Sequence, residues 1–388
     1  MKNKNLSRTS AQEPCYDKRN KKILITGAGG FVGKNLTATL LQKGYTDLYL
    51  YDRDSTAEEL ERYCADCEFV FHLAGVNRPV DTKEFYEGNT DFSKTLLDTL
   101  KKAGNHCPVI VSSSIQALLD NDYGKSKKMG EDLFLANGFN PAFIVRLYGV
   151  FGKWSRPNYN TVVATFCHNV AHGLPLQIND PDRELTLCYI DDVVAKFVDI
   201  MENTADYKEG FFEIDTLHKI TLGKLAKTIE SFGKNRETLV MPNLNGLMEQ
   251  RLYGTYLSYL DTDNFSYKLK KNEDNRGWLA EFIKSESFGQ IFISTTKPGI
   301  TRGDHWHHTK VEKFFVIKGK ATISFRHMIT NDIIRYDVCG DEPTVVDIPV
   351  GYTHNITNTG DEEMICLFWS NQIFDPQNPD TYYTKVDL

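Results

Sequence analysis

The residues of this chain best suited to do chemistry lie in two groups. In the second half, His305, His307 and Glu312 lie between Gly299 and Gly319 in the pattern G-x5-H-x-H-x4-E-x6-G, and Pro349, Gly351, His354 and Asn358 follow as P-x-G-x2-H-x3-N. Residues two apart on a strand share a face, so His305 and His307 are expected side by side while Trp306 points the other way. Glu312 opens the next strand and His354 returns on a later one. Three imidazoles and a carboxylate suit a divalent metal: zinc first, with iron, manganese and nickel as the other choices. The plain structural alternative is a barrel lined by the same polar residues without a metal. In the first half, Gly27, Gly30 and Gly33, with Phe31 and Val32 between the last two, join a β-branched run to a helical one. A glycine loop in that setting lets a pyrophosphate approach the backbone at a helix N-terminus. Tyr123 and Lys127 fall one helical turn apart on one face. An ammonium beside a phenol stabilises phenolate and lowers the tyrosine pKa, so the hydroxyl can move a proton near neutral pH.

The elements that must position these groups can be read in order. KKILITGAGG is a strand breaking at glycines, and FVGKNLTATLLQKG is a helix. DLYLYDR and CEFVFHLAG are further strands. FYEGNTDFSKTLLDTLKKAG is a long helix, PVIVSSS a strand, YGKSKKMGEDLFLANG a helix and AFIVRLYGVFG a strand. This alternation predicts an α/β doubly wound parallel sheet over residues 21–250. Residues 1–20 read as a flexible tail and 251–275 as a charged linker. From 276 to 388 the texture changes to short alternating runs (GQIFIST, KFFVIKG, ATISFRH, EMICLFW) between Gly, Asp and Asn turns, which predicts an all-β barrel.

The spacing G-x-x-G-x-x-G, followed by Leu73-Ala74-Gly75, Asn89, Tyr123-x-x-x-Lys127 and Ile190-Asp191-Asp192, resembles the extended short-chain dehydrogenase/reductases, a branch of the Rossmann fold that acts on sugar nucleotides. That resemblance implies that Leu73, Ala74, Gly75 and Asn89 lie against the dinucleotide with Gly27, Gly30, Phe31, Val32, Gly33, Tyr123 and Lys127. It implies Ser114 as the hydroxyl partner of Tyr123, with Ser113 as the other choice. Only eight residues separate Ser114 from Tyr123, a shorter loop than relatives carry. Asp52 ends the second strand, where a carboxylate suits the free ribose of NAD; Arg53 beside it suits the 2′-phosphate of NADP. NADPH is expected ahead of NAD, because biosynthetic reductases usually draw on it.

The histidine motifs resemble the two cupin motifs, with Pro343 where the second usually begins with glycine. Asp274-Asn275-Arg276-Gly277 and Arg302-Gly303-Asp304-His305 also resemble sugar-nucleotide 3,5-epimerases, in which the last histidine is a base. His305 is therefore a metal ligand or a base. His308 is extra to both patterns and reads as a solvated strand residue. Tyr352, beside His354, is a candidate proton donor. The stretches HLAGVNRP, SSSIQA, FGKW, HWHHTK, PVGYTHNI and FDPQNPDTYY resemble the CapF-type enzymes of capsular polysaccharide and O-antigen synthesis. That resemblance implies a UDP-linked 4-keto-6-deoxy amino sugar as substrate, UDP-2-acetamido-2,6-dideoxy-4-hexulose. The barrel would epimerise C3, and the first domain would reduce C4 with NADPH to UDP-N-acetyl-6-deoxytalosamine. Arg78, Arg156, Asn158 and Asn160 are candidates to hold it. Two other readings are a redox-neutral NAD-dependent epimerase or dehydratase, and a reductase with a non-catalytic sugar-binding cupin. Ile115-Gln116 after Ser114, where dehydratases carry Asp-Glu, argues against dehydration.

Composition narrows the rest. With 388 residues, two or three domains are expected. A formal charge of −7 argues against nucleic acid as a partner. The eight cysteines sit mostly in apolar runs, and Cys64-x-x-Cys67 has no second pair at zinc-finger spacing, so a reducing compartment is expected. No run approaches the roughly 18–20 apolar residues of a membrane helix, and the start lacks a signal-peptide core, so the expected location is the cytoplasm, with no membrane partner. A homodimer is expected from the way cupins pair at barrel edges.

Overall fold

The computed structural model describes residues 20–388. The expected tail lies outside the described residues except for Asn20, as does Cys15. The chain divides into two compact units, one running to Ile229 and including Gln250–Tyr259, the other made of Glu230–Glu249 and Leu260–Leu388.

The first unit is built on β1 (Ile23–Thr26), α1 (Phe31–Gln42), β2 (Leu48–Tyr51), α2 (Ala57–Asp66) and β3 (Phe69–His72). Next come a short α3 (Lys83–Tyr86), a π turn (Glu87–Asp91), α4 (Phe92–Lys102), β4 (Val109–Ser114), α5 (Asp122–Asn137) and β5 (Ala142–Leu147). Then follow β6 (Gly149–Phe151), α6 (Val162–Ala171), β7 (Glu184–Tyr189), α7 (Ile190–Glu202), β8 (Gly210–Phe212) and β9 (His218–Thr221). The main sheet has the order β2-β1-β3-β4-β5-β8 and every pairing in it is parallel. A sheet buried on both faces needs apolar residues on both, and β1 and β3 are buried at all four positions. Ile23, Ile25, Phe69 and Phe71 pack with Leu36 and Leu40 of α1 and Phe197 and Met201 of α7. Leu24 and Val70 face the opposite layer, with Leu60 and Cys64 of α2, Leu96 and Leu100 of α4 and Phe134 of α5. Cys64, Cys67 and Cys107 belong to this second layer, and burial pushes the Cys64 thiol up to about 12, which suits packing rather than reactivity.

Two expectations need correction here. AFIVRLYGVFG is not one strand: it breaks at Tyr148, and β6 leaves the main sheet to pair with β7, which pairs in turn with β9. The segment expected as linker carries most of α9 (Leu247–Leu257). Its buried Met248, Leu252 and Tyr256 repeat every four residues, a helical stripe hidden among tyrosines. The helix before it, α8, spans Leu222–Thr238.

The strands of the second unit pair antiparallel: β10 (Asn272–Asp274), β11 (Gly277–Ser285), β12 (Gly289–Thr296), β13 (Thr301–Trp306), β14 (Glu312–Lys318) and β15 (Lys320–His327), then β16 (Ile333–Cys339), β17 (Val345–Ile348), β18 (Tyr352–Asn358), β19 (Met364–Ser370) and β20 (Tyr382–Tyr383). Two sheets form, β10-β11-β12-β19-β14-β17 and β16-β15-β18-β13-β20. Phe314, Val316, Ile323, Ile356 and Phe368 fill the space between them. This is a cupin-like double sheet. Among the described residues, no helix is long and apolar enough to cross a membrane.

Candidate active site and candidate metal centre

In the order of the parallel sheet, the chain changes direction between β1 and β3, and ligands of such sheets sit beyond the strand ends at that point. A cleft of about 1100 Å³ opens there. Gly27, Gly30, Phe31, Val32, Gly33, Asp52, Arg53, Leu73, Ala74, Gly75, Asn89, Ser114, Tyr123 and Lys127 all line it. The glycines are there for room. A Cβ on Gly27 would stand 2.8 Å from the Ala74 nitrogen, and φ is +71°. A Cβ on Gly33 would stand 2.3 Å from the Gly27 carbonyl oxygen and 2.6 Å from that of Ala28. The Asp52 carboxylate accepts from the backbone N–H groups of Gly29 and Arg53. The Arg53 side chain is exposed and has no ion-pair partner among the described residues.

Asn89 is buried in the π turn with both ends of its amide engaged. Its Oδ1 accepts from Val76 N–H at 2.9 Å, and its Nδ2 donates to Val76 carbonyl at 2.9 Å and Ser126 Oγ at 3.0 Å. It clamps the loop after β3 to α5. A buried relay that the sequence did not reveal supports it: Thr26 Oγ1 lies 2.9 Å from His72 Nδ1, His72 Nε2 lies 3.0 Å from Ser93 Oγ, and Ser93 donates to the Asn89 carbonyl at 2.6 Å. Burial, with the Lys127 charge, drives the His72 pKa down to about 3, so the ring is neutral.

The choice between the two serines follows from geometry. Ser113 donates at 2.6 Å to Glu131, which is fully buried and forms a two-point ion pair with Arg146 at 2.9 and 2.6 Å. Ser114 is not engaged by Glu131; it lines the cleft with Tyr123 and its side chain accepts from the Gln116 N–H at 3.2 Å. The expected lowering of the Tyr123 pKa by Lys127 is not found. Burial raises it, and the neighbouring Ser114 hydroxyl offsets only part of the rise. Lys127 Nζ donates instead to the Ser112 carbonyl at 3.0 Å, and burial lowers its own pKa to about 8.

At the mouth of the cleft, Arg78, Arg156 and Asn160 are present, but Asn158 is not. Asn158 takes φ +54° and its N–H donates to Thr165 Oγ1 at 3.0 Å, a loop role. The acidic pair is also spent elsewhere: Asp191 pairs with Lys153 at 2.6 Å and Asp192 with Arg251 at 2.7 Å. Trp154, which spacing alone did not single out, lines the cleft half-exposed with φ +70°. A bulky side chain in the left-handed region costs on the order of 1–3 kcal/mol and persists only where neighbours fix it. Here Asn35 Nδ2 holds the Lys153 carbonyl at 3.2 Å and Tyr259 hydroxyl holds the Ser155 carbonyl at 2.6 Å.

In the second unit, His305, His307, Glu312 and His354 each bring a ligand atom within 4.8 Å of the others. The sequence placed His305 and His307 on one strand, but β13 ends at Trp306, and His307 stands just beyond it. A bulge at Asp304, φ +58°, shifts the β13–β18 register so that His305 lies opposite His354. Glu312 comes from the other sheet. His308, expected on a strand, sits exposed in the turn after β13 with its ring against Trp306 and Tyr382. Tyr352 lies two residues before His354 on β18.

The donor set fits a metal. Glu312 Oε2 lies 3.3 Å from both His307 Nε2 and His354 Nε2. His354 Nε2 is buried without hydrogen-bonding geometry to Glu312 or to any other partner, an orphan that a cation would satisfy. Burial raises the Glu312 pKa, but the adjacent imidazoles of His307 and His354 outweigh it and hold the carboxyl well below its usual range. Burial, followed by the His354 charge, lowers His305 to about 4, which keeps its nitrogen available as a lone-pair donor.

Comparison with known proteins agrees with both halves. Residues 23–214 match the NAD dependent epimerase/dehydratase family, and residues 272–382 match the polysaccharide biosynthesis C-terminal domain. The chain is 41% identical over 370 residues to the UDP-2-acetamido-2,6-beta-L-arabino-hexul-4-ose reductase of Pseudomonas aeruginosa, covering 94% of this chain and 99% of that one. The capsular polysaccharide assembling protein CapF of Staphylococcus aureus superposes with TM-score 0.87 at 46% identity, covering 94% of this chain and all of that one. Bordetella bronchiseptica WbmF, solved with NAD+ and UDP, shares the fold of the first unit at TM-score 0.53 and 18% identity.

Proposed function

Because this chain belongs to the family of CapF and the UDP-2-acetamido-2,6-beta-L-arabino-hexul-4-ose reductase, sugar-nucleotide enzymes of polysaccharide synthesis that use a nicotinamide cofactor, we propose that it is a bifunctional epimerase–reductase. One observation carries the reading: a single chain holds a glycine-loop cleft with a Tyr–Lys pair and, in its other unit, a buried three-histidine, one-carboxylate cluster. The substrate is UDP-2-acetamido-2,6-dideoxy-4-hexulose. The second unit inverts C3, and the first reduces C4 to give UDP-N-acetyl-6-deoxytalosamine.

In the reductase site, Ser114 and Tyr123 would hold the ketone oxygen between their hydroxyls and Tyr123 would supply its proton; a bound nicotinamide would supply the hydride. Lys127 stands one turn away and supplies positive charge to the cofactor ribose and to Tyr123 once the site is filled. NADPH is the cofactor of this reading. In its support, Arg53 has an uncommitted guanidinium at the adenosine end, while Asp52 is occupied by two backbone N–H groups.

In the barrel, His305, His307, Glu312 and His354 would hold a divalent metal, zinc by the chemistry of the set. Such an ion would supply Lewis-acid polarisation of the substrate ketone. The C3 proton is acidic because the neighbouring ketone accepts the charge left by its removal. Tyr352, two residues before His354 on β18, is the candidate acid of this reading, returning a proton to that carbon.

The test is the stoichiometry of the complete reaction. With the 4-keto sugar nucleotide, one NADPH should be consumed per product, and NMR should identify the 6-deoxytalo configuration. A conversion with no net NADPH oxidation would overturn the reading in favour of redox-neutral chemistry.

A further inference from the structure

Three of the four clustered side chains are held by strands, but His307 is not, since β13 ends one residue before it. Its ring is fixed through Nδ1, 2.5 Å from the main-chain carbonyl of Asp380. A carbonyl can only accept, so Nδ1 carries a proton, and Nε2, 3.3 Å from Glu312 Oε2, is the nitrogen left to face a cation. That carbonyl points where it does because Asp380 takes φ +40°, a conformation aspartate tolerates better than most residues but still enters at a cost. The Asp380 carboxylate supplies the compensation. It accepts from the backbone N–H groups of His308 at 3.0 Å and of Thr309 and Lys310 at 2.9 Å, and from the Thr309 hydroxyl at 2.9 Å. Successive N–H groups converging on one carboxylate form a nest. Lys310 then grips the residues on either side, donating from Nζ to the Pro379 carbonyl at 3.0 Å and to Thr381 Oγ1 at 2.9 Å.

We infer that Asp380 is a positioning residue for the metal centre: its carboxylate docks on the 308–310 turn and so aims its own carbonyl at His307, fixing the tautomer and ring plane of that ligand. The inference rests on the reading of His305, His307, Glu312 and His354 as ligands. Asp380 is thus tied twice, side chain to turn and main chain to imidazole, so the ligand cannot rotate without breaking the clasp. Outer partners of metal-bound histidines typically account for about 10–100-fold in affinity.

The experiment uses the full-length protein loaded with zinc, with release followed by a chromogenic chelator. Asp380→Ala should release zinc about 10–100-fold faster than wild type, and Asp380→Asn, which keeps an acceptor oxygen, should fall between them. The cobalt-substituted proteins give a second readout that a merely structural role would not move: the visible bands of Asp380→Ala should shift, because one imidazole no longer holds its plane. Asp380→Gly meets the positive φ without strain and lacks the carboxylate, so it carries the same test if the alanine variant does not fold. Wild-type release rates and unshifted cobalt bands in the folded variants would overturn the inference while leaving the metal reading intact. A wild-type protein that retains no zinc or cobalt would overturn both.

Discussion

Gly33→Ala is a sharp test of why the first loop is glycine-rich. The added carbon would sit 2.3 Å from the Gly27 carbonyl oxygen, 2.6 Å from the Ala28 oxygen and 2.7 Å from the Ala28 Cα. Ordinary contacts begin near 3.4 Å, so the obstacle is about 1 Å of overlap, and all three atoms are backbone. Rotating a side chain cannot relieve it; α1 must move away from the loop, or the loop from the strand. Overpacking of this kind costs about 1–3 kcal/mol. At about 2–4 °C per kcal/mol for a unit of this size, melting should fall by roughly 2–12 °C. The same displacement moves the N–H groups that would meet the pyrophosphate. Loss of even one such bond to a charged group is worth about 1.5–3 kcal/mol, so the NADPH Kd should rise at least tenfold by fluorescence titration. Zinc content should stay at its wild-type value. An NADPH affinity within twofold of wild type, with unchanged melting, would refute the close-approach argument.

Three further outcomes follow from the geometry. Lys127 titrates at about 8 in the folded chain against an ordinary 10.5, so between those values the unfolded chain holds the extra proton and wild-type stability gains with rising pH. The melting temperature of wild type minus that of Lys127→Met should therefore grow from pH 8 to pH 10; a constant difference would contradict the buried ammonium. Trp154→Gly relieves a positive φ while removing an aromatic wall of the cleft, so it should melt no lower than wild type yet raise the KM for the sugar nucleotide roughly tenfold, with the NADPH Kd unmoved; an unchanged KM would exclude the indole from substrate contact. His305→Ala should lose zinc during dialysis if that side chain is a ligand, whereas full retention with loss of C3 exchange would make it the base.

The cleft and the His–Glu cluster were legible in the sequence because each depends on short spacings within strong local elements. Gly27, Gly30 and Gly33 sit between a strand and a helix, and Tyr123 and Lys127 share one helix face. The fixed spacings of HWHHTK and PVGYTHNI named the clustered histidines, although His307 stands beyond β13 and a bulge sets the register of His305. What stayed hidden depends on contacts distant in sequence. Ser113 and Ser114 are adjacent and chemically identical, and only Glu131, eighteen residues on from Ser113, separates their roles. The bulge at Asp304 re-aims His305, yet it is written in no turn motif. Asp380 lies more than seventy residues from the ligand it orients. Trp154 carries no left-handed signature of its own; its conformation is imposed by Asn35 and Tyr259. The Tyr123 pKa was misread for a related reason: spacing set Lys127 on the same face but could not show that its ammonium turns to the Ser112 carbonyl. The split of AFIVRLYGVFG reflects a second small sheet that takes β6, a pairing that no local pattern announces.

The central claim is that two separate sites on one chain act on one sugar nucleotide, and deuterium exchange at C3 tests it most directly. Full-length Tyr123→Phe, loaded with zinc and given the 4-keto substrate in deuterated water without cofactor, should incorporate deuterium at C3 at the wild-type rate, while its NADPH oxidation falls by about 10²–10⁴-fold. If C3 stays protonated in folded, zinc-replete protein, or if exchange and reduction are lost together, the two-site account is contradicted.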